Sequence, residues 1–206
     1  MLILAILKTS FDEIVNISAI GKTENPNSLN DLLARATEEN LKPAHEDIEK
    51  IMVLAIDPQN DFMENGALGV PNSHKDMENF SRFIYDNMEK ISKIVVSLDT
   101  HNPFQIFHPC WWVDKEGNNP PPFTAITMED LDNGVWIPVL YAKKSREYVL
   151  NLEKNAKKTL VIWPYHCLQG TDGNAMEQQF SNMVYFHSIA KKNHIATSSQ
   201  RNGSIV

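Results

Sequence analysis

The sequence predicts an α/β fold: a doubly wound, mostly parallel sheet with flanking helices. Three observations carry this. Short, uninterrupted apolar runs alternate with stretches of helical spacing. The runs have no polar alternation, as expected of strands covered on both faces. Each run stops at polar residues, Asp57, Asp99 and the Pro164-Tyr165-His166 segment. In open α/β sheets ligands bind beyond the carboxyl ends of the strands, so these groups are expected at one rim.

In chain order, Met1 to Leu7 is apolar but too short to span a bilayer, and reads as a strand or helix start. Asn25 to Ser28 reads as a turn or helix start. Leu32, Leu33 and Ala36 recur at helical spacing within 29–40. Ile51 to Ile56 is the first predicted strand. Ser73 is the expected N-cap of a helix reaching Ile91, with Met77, Phe80, Phe83, Ile84 and Met88 on its apolar stripe. Lys93 to Leu98 is the second strand. Residues 102–135, rich in Pro, Asn and aromatics, read as an ordered loop insertion. A helix over 145–157 leads to a third strand over 159–163, and a last helix is expected over 174–191. The tail from Asn193 is polar and patternless. Two parts follow: an N-terminal helical extension, 1–50, and a domain over 51–206.

The 206 residues carry a net charge of −7, with nothing basic clustered to track a phosphate backbone, so nucleic acid is not the expected partner. No membrane partner is expected either. Two cysteines, Cys110 and Cys167, and no secretion signal point to a reducing, cytoplasmic setting.

Asp99-Thr100-His101 is the sharpest chemical signal. Residues two apart at a strand end face the same way, so a carboxylate and an imidazole can meet one ion. Such a pair is also a common loop hydrogen bond. His166, arriving from another strand end, adds a third donor and describes an open metal site. His108 reads equally as a fourth ligand or as a loop histidine. Asp57 reads as a turn aspartate capping the next backbone turn, or as a general base at the rim. Phe62 reads as core or as wall of a substrate pocket. Both cysteines read as structural thiols, since no cationic cluster favours a thiolate. Lys157-Lys158 and Lys191-Lys192 read as solvated helix ends.

Taken together these segments resemble the isochorismatase-like cysteine hydrolases, a Rossmann-like fold, and the nicotinamidases within that family. Asp57-Pro58-Gln59-Asn60-Asp61-Phe62 is similar to the family's opening D-x-Q-N-D-F. Asp99-Thr100-His101 is similar to the nicotinamidase D-x-H metal motif. Trp163-Pro164-Tyr165-His166-Cys167-Leu168-Gln169-Gly170-Thr171-Asp172-Gly173 is similar to W-P-x-H-C-x-x-G-T-x-G. The resemblance spans about Ile51 to Phe186. It implies hydrolysis of nicotinamide or a related small amide to acid and ammonia through a cysteine acyl-enzyme. It implies Asp57 as base, and Asp99, His101 and His166 as ligands of a divalent metal, zinc ahead of iron or manganese. The cation would bind the pyridine nitrogen and orient the ring.

Two departures accompany it. No lysine stands where the family's catalytic lysine follows W-P-x-H-C, and neither Cys110 nor Cys167 stands at the nucleophile's position. The resemblance therefore implies a domain lacking its C-terminal half, whose first strand becomes an exposed edge. A complementing C-terminal polypeptide or a homo-oligomer is the expected partner. The other reading is a metal- or ligand-binding module of the same fold without catalysis.

Overall fold

The structure is a computed structural model that describes residues 7–22 and 25–200. The expectation for Met1 to Leu7 thus falls almost wholly outside the described residues. In chain order the elements are α1 (Phe11–Ile14), α2 (Leu29–Glu38), β1 (Ile51–Ile56), α3 (Ser73–Asp86), β2 (Ile91–Asp99), β3 (Trp112–Val113), β4 (Ala125–Ile126), α4 (Met128–Asp132), β5 (Ile137–Pro138), α5 (Ala142–Asn151), β6 (Leu160–Val161), α6 (Gln178–Ala190) and β7 (Ala196–Gln200). None of the described helices is long and apolar enough to cross a membrane. The chain divides into two compact units, residues up to Asp99 with 170–200, and residues 100–169.

The first unit is a parallel three-stranded sheet in the order β1-β2-β7 with helices packed on it. Its core joins Ala55 of β1 and Ile94 and Val96 of β2 to Ile84 and Met88 of the α3 region and Phe180, Met183, Val184 and Phe186 of α6. Phe11, Ile14, Leu32 and Ala36 from α1 and α2 close the same cluster. Helix α6 is buried over much of its surface, and polar Gln179, Asn182 and His187 are buried beside its apolar residues. Glu177 caps it, its carboxylate accepting from Phe180 N at 2.7 Å. Ser28, the last residue of the expected turn or helix start, caps α2. Helix α3 is capped one residue earlier than expected, by Asn72 at φ 65°, and Ser73 is its first helical residue. Phe83 is exposed, so the buried stripe of α3 is narrower than expected.

Three expectations change. Strand β1 is not covered on both faces: Met52, Leu54 and Ile56 are 60%, 50% and 67% exposed. It is the sheet edge, with no partner beyond it among the described residues. The third predicted strand does not join this sheet. Only Leu160 and Val161 are extended, and they pair antiparallel with β4. The third parallel strand is β7, from the tail that looked patternless. Its residues pair with Val95 to Asp99. Backbone pairing alone admitted so polar a segment, Ala196-Thr197-Ser198-Ser199-Gln200, to an outer position.

Lys191 is likewise not a solvated helix end. It is fully buried; its ammonium donates to Asp47 Oδ1 at 2.8 Å and to the Glu89 carbonyl at 2.8 Å. Ser92 Oγ donates to the other Asp47 oxygen at 2.7 Å. This pair ties the chain before β1 to the end of α6, and the Lys191 carbonyl accepts from Ala44 N.

The second unit has its own core of Ile106, Phe107, Trp111, Trp112, Ile126, Val149, Leu160 and Ile162. Two short antiparallel pairs, β3 with β5 and β4 with β6, frame it. The indoles are satisfied inside: Trp111 Nε1 donates to Ser145 Oγ at 3.0 Å and Trp112 Nε1 to the Ile106 carbonyl at 2.7 Å. Helix α5 starts earlier than expected, at Ala142, and runs into a single π-helical turn over Leu152–Ala156.

Candidate metal centre

Asp99 ends β2, and one peptide unit further on the chain turns into Thr100 and His101. His101 N donates to the Cys167 carbonyl at 3.0 Å, and Gln169 N donates to the His101 carbonyl at 2.9 Å. These bonds form an isolated parallel bridge between His101 and Leu168. His166 therefore reaches His101 through this bridge rather than through a third sheet strand. Cys167 sits inside it at φ 46°, fully buried, so its role there is structural. Cys110 is half-buried and its Sγ lies 3.3 Å from the Pro103 carbonyl, so the expectation of two buried thiols holds only for Cys167.

Asp99, His101 and His166 are all buried, and each offers one ligand atom; these atoms lie within 4.8 Å of one another. The His101 and His166 rings are 4.7 Å apart at their centroids. His166 Nδ1 lies 2.8 Å from the Pro164 carbonyl. A carbonyl only accepts, so Nδ1 carries the proton and Nε2 presents its lone pair, the tautomer a metal ligand needs. A carboxylate with two imidazoles fits zinc, iron or manganese.

His108 lies beside this group but is not a member of it; its ring centroid is 5.8 Å from that of His101 and 6.3 Å from that of His166. Its Nδ1 is tied to the Pro103 carbonyl at 2.9 Å, and its Nε2 is buried with no hydrogen-bond partner among the described residues. Burial pushes the His108 imidazole down to about 4, and the neighbouring His101 and His166 rings add to this. His108 is thus neutral near pH 7, with one nitrogen held and one available.

Asp57 follows β1 in the left-handed region, at φ 50°. Its carboxylate Oδ1 accepts from Ser97 Oγ at 2.7 Å, and its own N–H donates to the Ser97 carbonyl at 3.1 Å. The turn it makes is therefore held from β2 as well as from within. Asn60 to Phe62 form a 3-10 turn, and Phe62 is half-buried there. Gly173 approaches this turn so closely that an added Cβ would stand 2.1 Å from an Asp61 carboxylate oxygen.

Sequence reasoning missed Gln59 and Asn174. Gln59 is fully buried, and its side chain holds the backbone of Asp99. The signal was available: Pro58, two residues past the end of β1, cannot continue the ladder, so something else must satisfy the neighbouring strand.

No family model matches the chain, and no curated protein matches it. Solved structures do. The yeast nicotinamidase Pnc1p bound to the inhibitor nicotinaldehyde is 20% identical with a TM-score of 0.45, over 73% of this chain and 57% of that one. The chain is similar to nicotinamidases and pyrazinamidases of known structure. Pyrazinamidase of Pyrococcus horikoshii in complex with zinc is 18% identical, with a TM-score of 0.39, over 77% and 56%. Nicotinamidase/pyrazinamidase PncA from Bacillus subtilis is 19% identical, with a TM-score of 0.38, over 74% and 57%. The chain thus spans little more than half the length of each.

Proposed function

We propose that this chain carries the metal-binding and base-bearing part of a nicotinamidase-like amidohydrolase acting on nicotinamide or a related small amide. The observation that carries the reading is the buried group of Asp99, His101 and His166, with donor atoms within 4.8 Å and at least His166 in the ligating tautomer. Together with His108 as a further candidate, these residues would hold one divalent cation, zinc ahead of iron or manganese. A bound cation supplies a Lewis-acid anchor for a ring nitrogen of the substrate. Asp57 is assigned as base. The Ser97 hydroxyl donates to one of its carboxylate oxygens, which would leave the other to accept the thiol proton. The thiolate so formed attacks the amide carbon and the C–N bond breaks. The proton held by Asp57 leaves with ammonia, and water hydrolyses the thioester to the acid. Phe62 is assigned to the pocket wall.

Neither thiol of these residues is arranged for that attack. Cys167 is fully buried and built into the bridge to His101, while Cys110 lies against the Pro103 carbonyl. The nucleophile is therefore assigned to a part of the fold outside these residues, on a longer chain or on a complementing polypeptide, and the open edge of β1 is the place where its strand would add. The same observation favours a second reading, a metal- or ligand-binding module of this fold without catalysis.

Elemental analysis after loading with zinc, iron or manganese should find about one ion per chain, held by the ligand set of an open site. Ammonia release from nicotinamide or pyrazinamide by the chain alone should stay near background. Failure to retain any of the three ions would overturn the metal reading. Strong amidase activity abolished by Cys167→Ala would overturn the placement of the nucleophile.

A further inference from the structure

The pairing of β1 with β2 ends in an unusual way. Asp57 N–H donates to the Ser97 carbonyl, which is the regular next step of a parallel ladder. In an unbroken ladder, Asp99 N–H would then reach the Asp57 carbonyl and Gln59 N–H would reach the Asp99 carbonyl. Neither bond forms. Asp57 turns away in the left-handed region, residue 58 is a proline with no N–H, and Gln59 N–H closes onto the Asp57 carbonyl at 2.8 Å. The Gln59 side chain replaces the lost rung. Its Oε1 accepts from Asp99 N at 2.7 Å, and its Nε2 donates to the Asp99 carbonyl at 2.8 Å and to the Asn174 carbonyl at 2.8 Å. Asn174 Nδ2 donates to the same Asp99 carbonyl at 2.8 Å. A carboxamide offers an acceptor and two donors, so it replaces the one acceptor and one donor lost from the ladder and has a second N–H left for the Asn174 carbonyl.

We infer that Gln59, backed by Asn174, is a positioning residue that fixes the backbone of Asp99 and thereby aims its carboxylate at the cation. This rests on the metal reading given above. Gln59 is fully buried with its carboxamide engaged by backbone groups, so it acts through the two peptide groups flanking the Asp99 Cα. Holding both removes the freedom of the strand end to rotate, and a ligand's pose is lost when its supporting bonds are lost.

The test uses the full chain with Co2+ as probe, read by its visible d–d bands and by the dissociation constant. Gln59→Met keeps the side-chain shape and removes all three bonds. Its Co2+ affinity should fall by at least about tenfold, with altered band intensity as Asp99 leaves the coordination set. Asn174→Ala removes one donor and should lower affinity by a smaller factor. A purely structural role would lower the melting temperature and leave the Co2+ affinity of the folded fraction unchanged. Wild-type binding matched within twofold by both variants would overturn this inference and leave the metal reading standing. Loss of the fold in both variants would also overturn it, since Gln59 would then be scaffold. A wild-type chain that binds no Co2+ would take down the metal reading and this inference together.

Discussion

Asp99, His101 and His166 were legible in the sequence because each lies at or within three residues of the end of an apolar run, and a strand end is where a sheet puts its chemistry. The manner of their meeting was not legible. His166 arrives through one backbone bridge to a segment with no strand periodicity, and such a bridge leaves no mark in composition. Asp57 was readable as turn or base, and its φ of 50° with a Ser97 hydroxyl on its carboxylate is compatible with both. Asp99→Ala and His166→Ala should each weaken Zn2+ binding by roughly a hundredfold or more, since each removes a whole ligand where loss of a supporting group already costs about 10- to 100-fold. Competition against a chromophoric chelator measures this. Cys110→Ser should leave Zn2+ affinity within about twofold, because its thiol rests on the Pro103 carbonyl rather than in the donor group.

At the scale of elements, hydrophobic runs found β1 and β2, helical spacing found α2 and α3, and the helix expected over 174–191 is α6. Two strands were misjudged for one reason: strand membership follows backbone pairing, which composition reports poorly. The apolar 159–163 run pairs outside the parallel sheet, and the polar 196–200 run pairs inside it. The edge strand β1 has a measurable consequence. Six uncharged residues with exposed Met52, Leu54 and Ile56 form a template for another strand. Met52→Lys should reduce concentration-dependent association in sedimentation velocity, at a stability change within about 0.5 kcal/mol. The clasp between the chain before β1 and the end of α6 behaves differently. Burial alone would raise the Asp47 carboxyl, but hydrogen bonds from Lys191 and Ser92 outweigh it and hold the group below its usual range. Its stabilisation is present above about pH 3.8 and lost as pH falls through the lowered value. Asp47→Ala strands a fully buried ammonium and should cost about 3–5 kcal/mol in urea unfolding at pH 7.

For the molecule as a whole, stability should depend on pH through His187. Burial holds this imidazole down to about 4, with Lys191 lowering it further and Asp47 and the Ile91 carbonyl opposing. Between about pH 6.5 and 4 the unfolded chain binds a proton that the folded chain refuses. The contribution, up to about 3 kcal/mol, is therefore complete above pH 6.5 and disappears on acidification towards pH 4. His187→Gln should flatten that slope in denaturant titrations, while a slope unchanged by the substitution would assign the effect elsewhere. One contact bears on how a cation is taken up. Gly173 packs directly against the Asp61 carboxylate, and Asn60 N donates to the Ala175 carbonyl, so the two motif stretches are latched to each other in advance. Residues 57–62 and 170–175, two of which hold the Asp99 backbone, are therefore already joined, so binding of the proposed cation would need no entropy-costing assembly of these stretches. Amide exchange at Asn60, whose N–H is held by the Ala175 carbonyl, should run equally slowly with and without Zn2+, and Gly173→Ala should quicken it in both states.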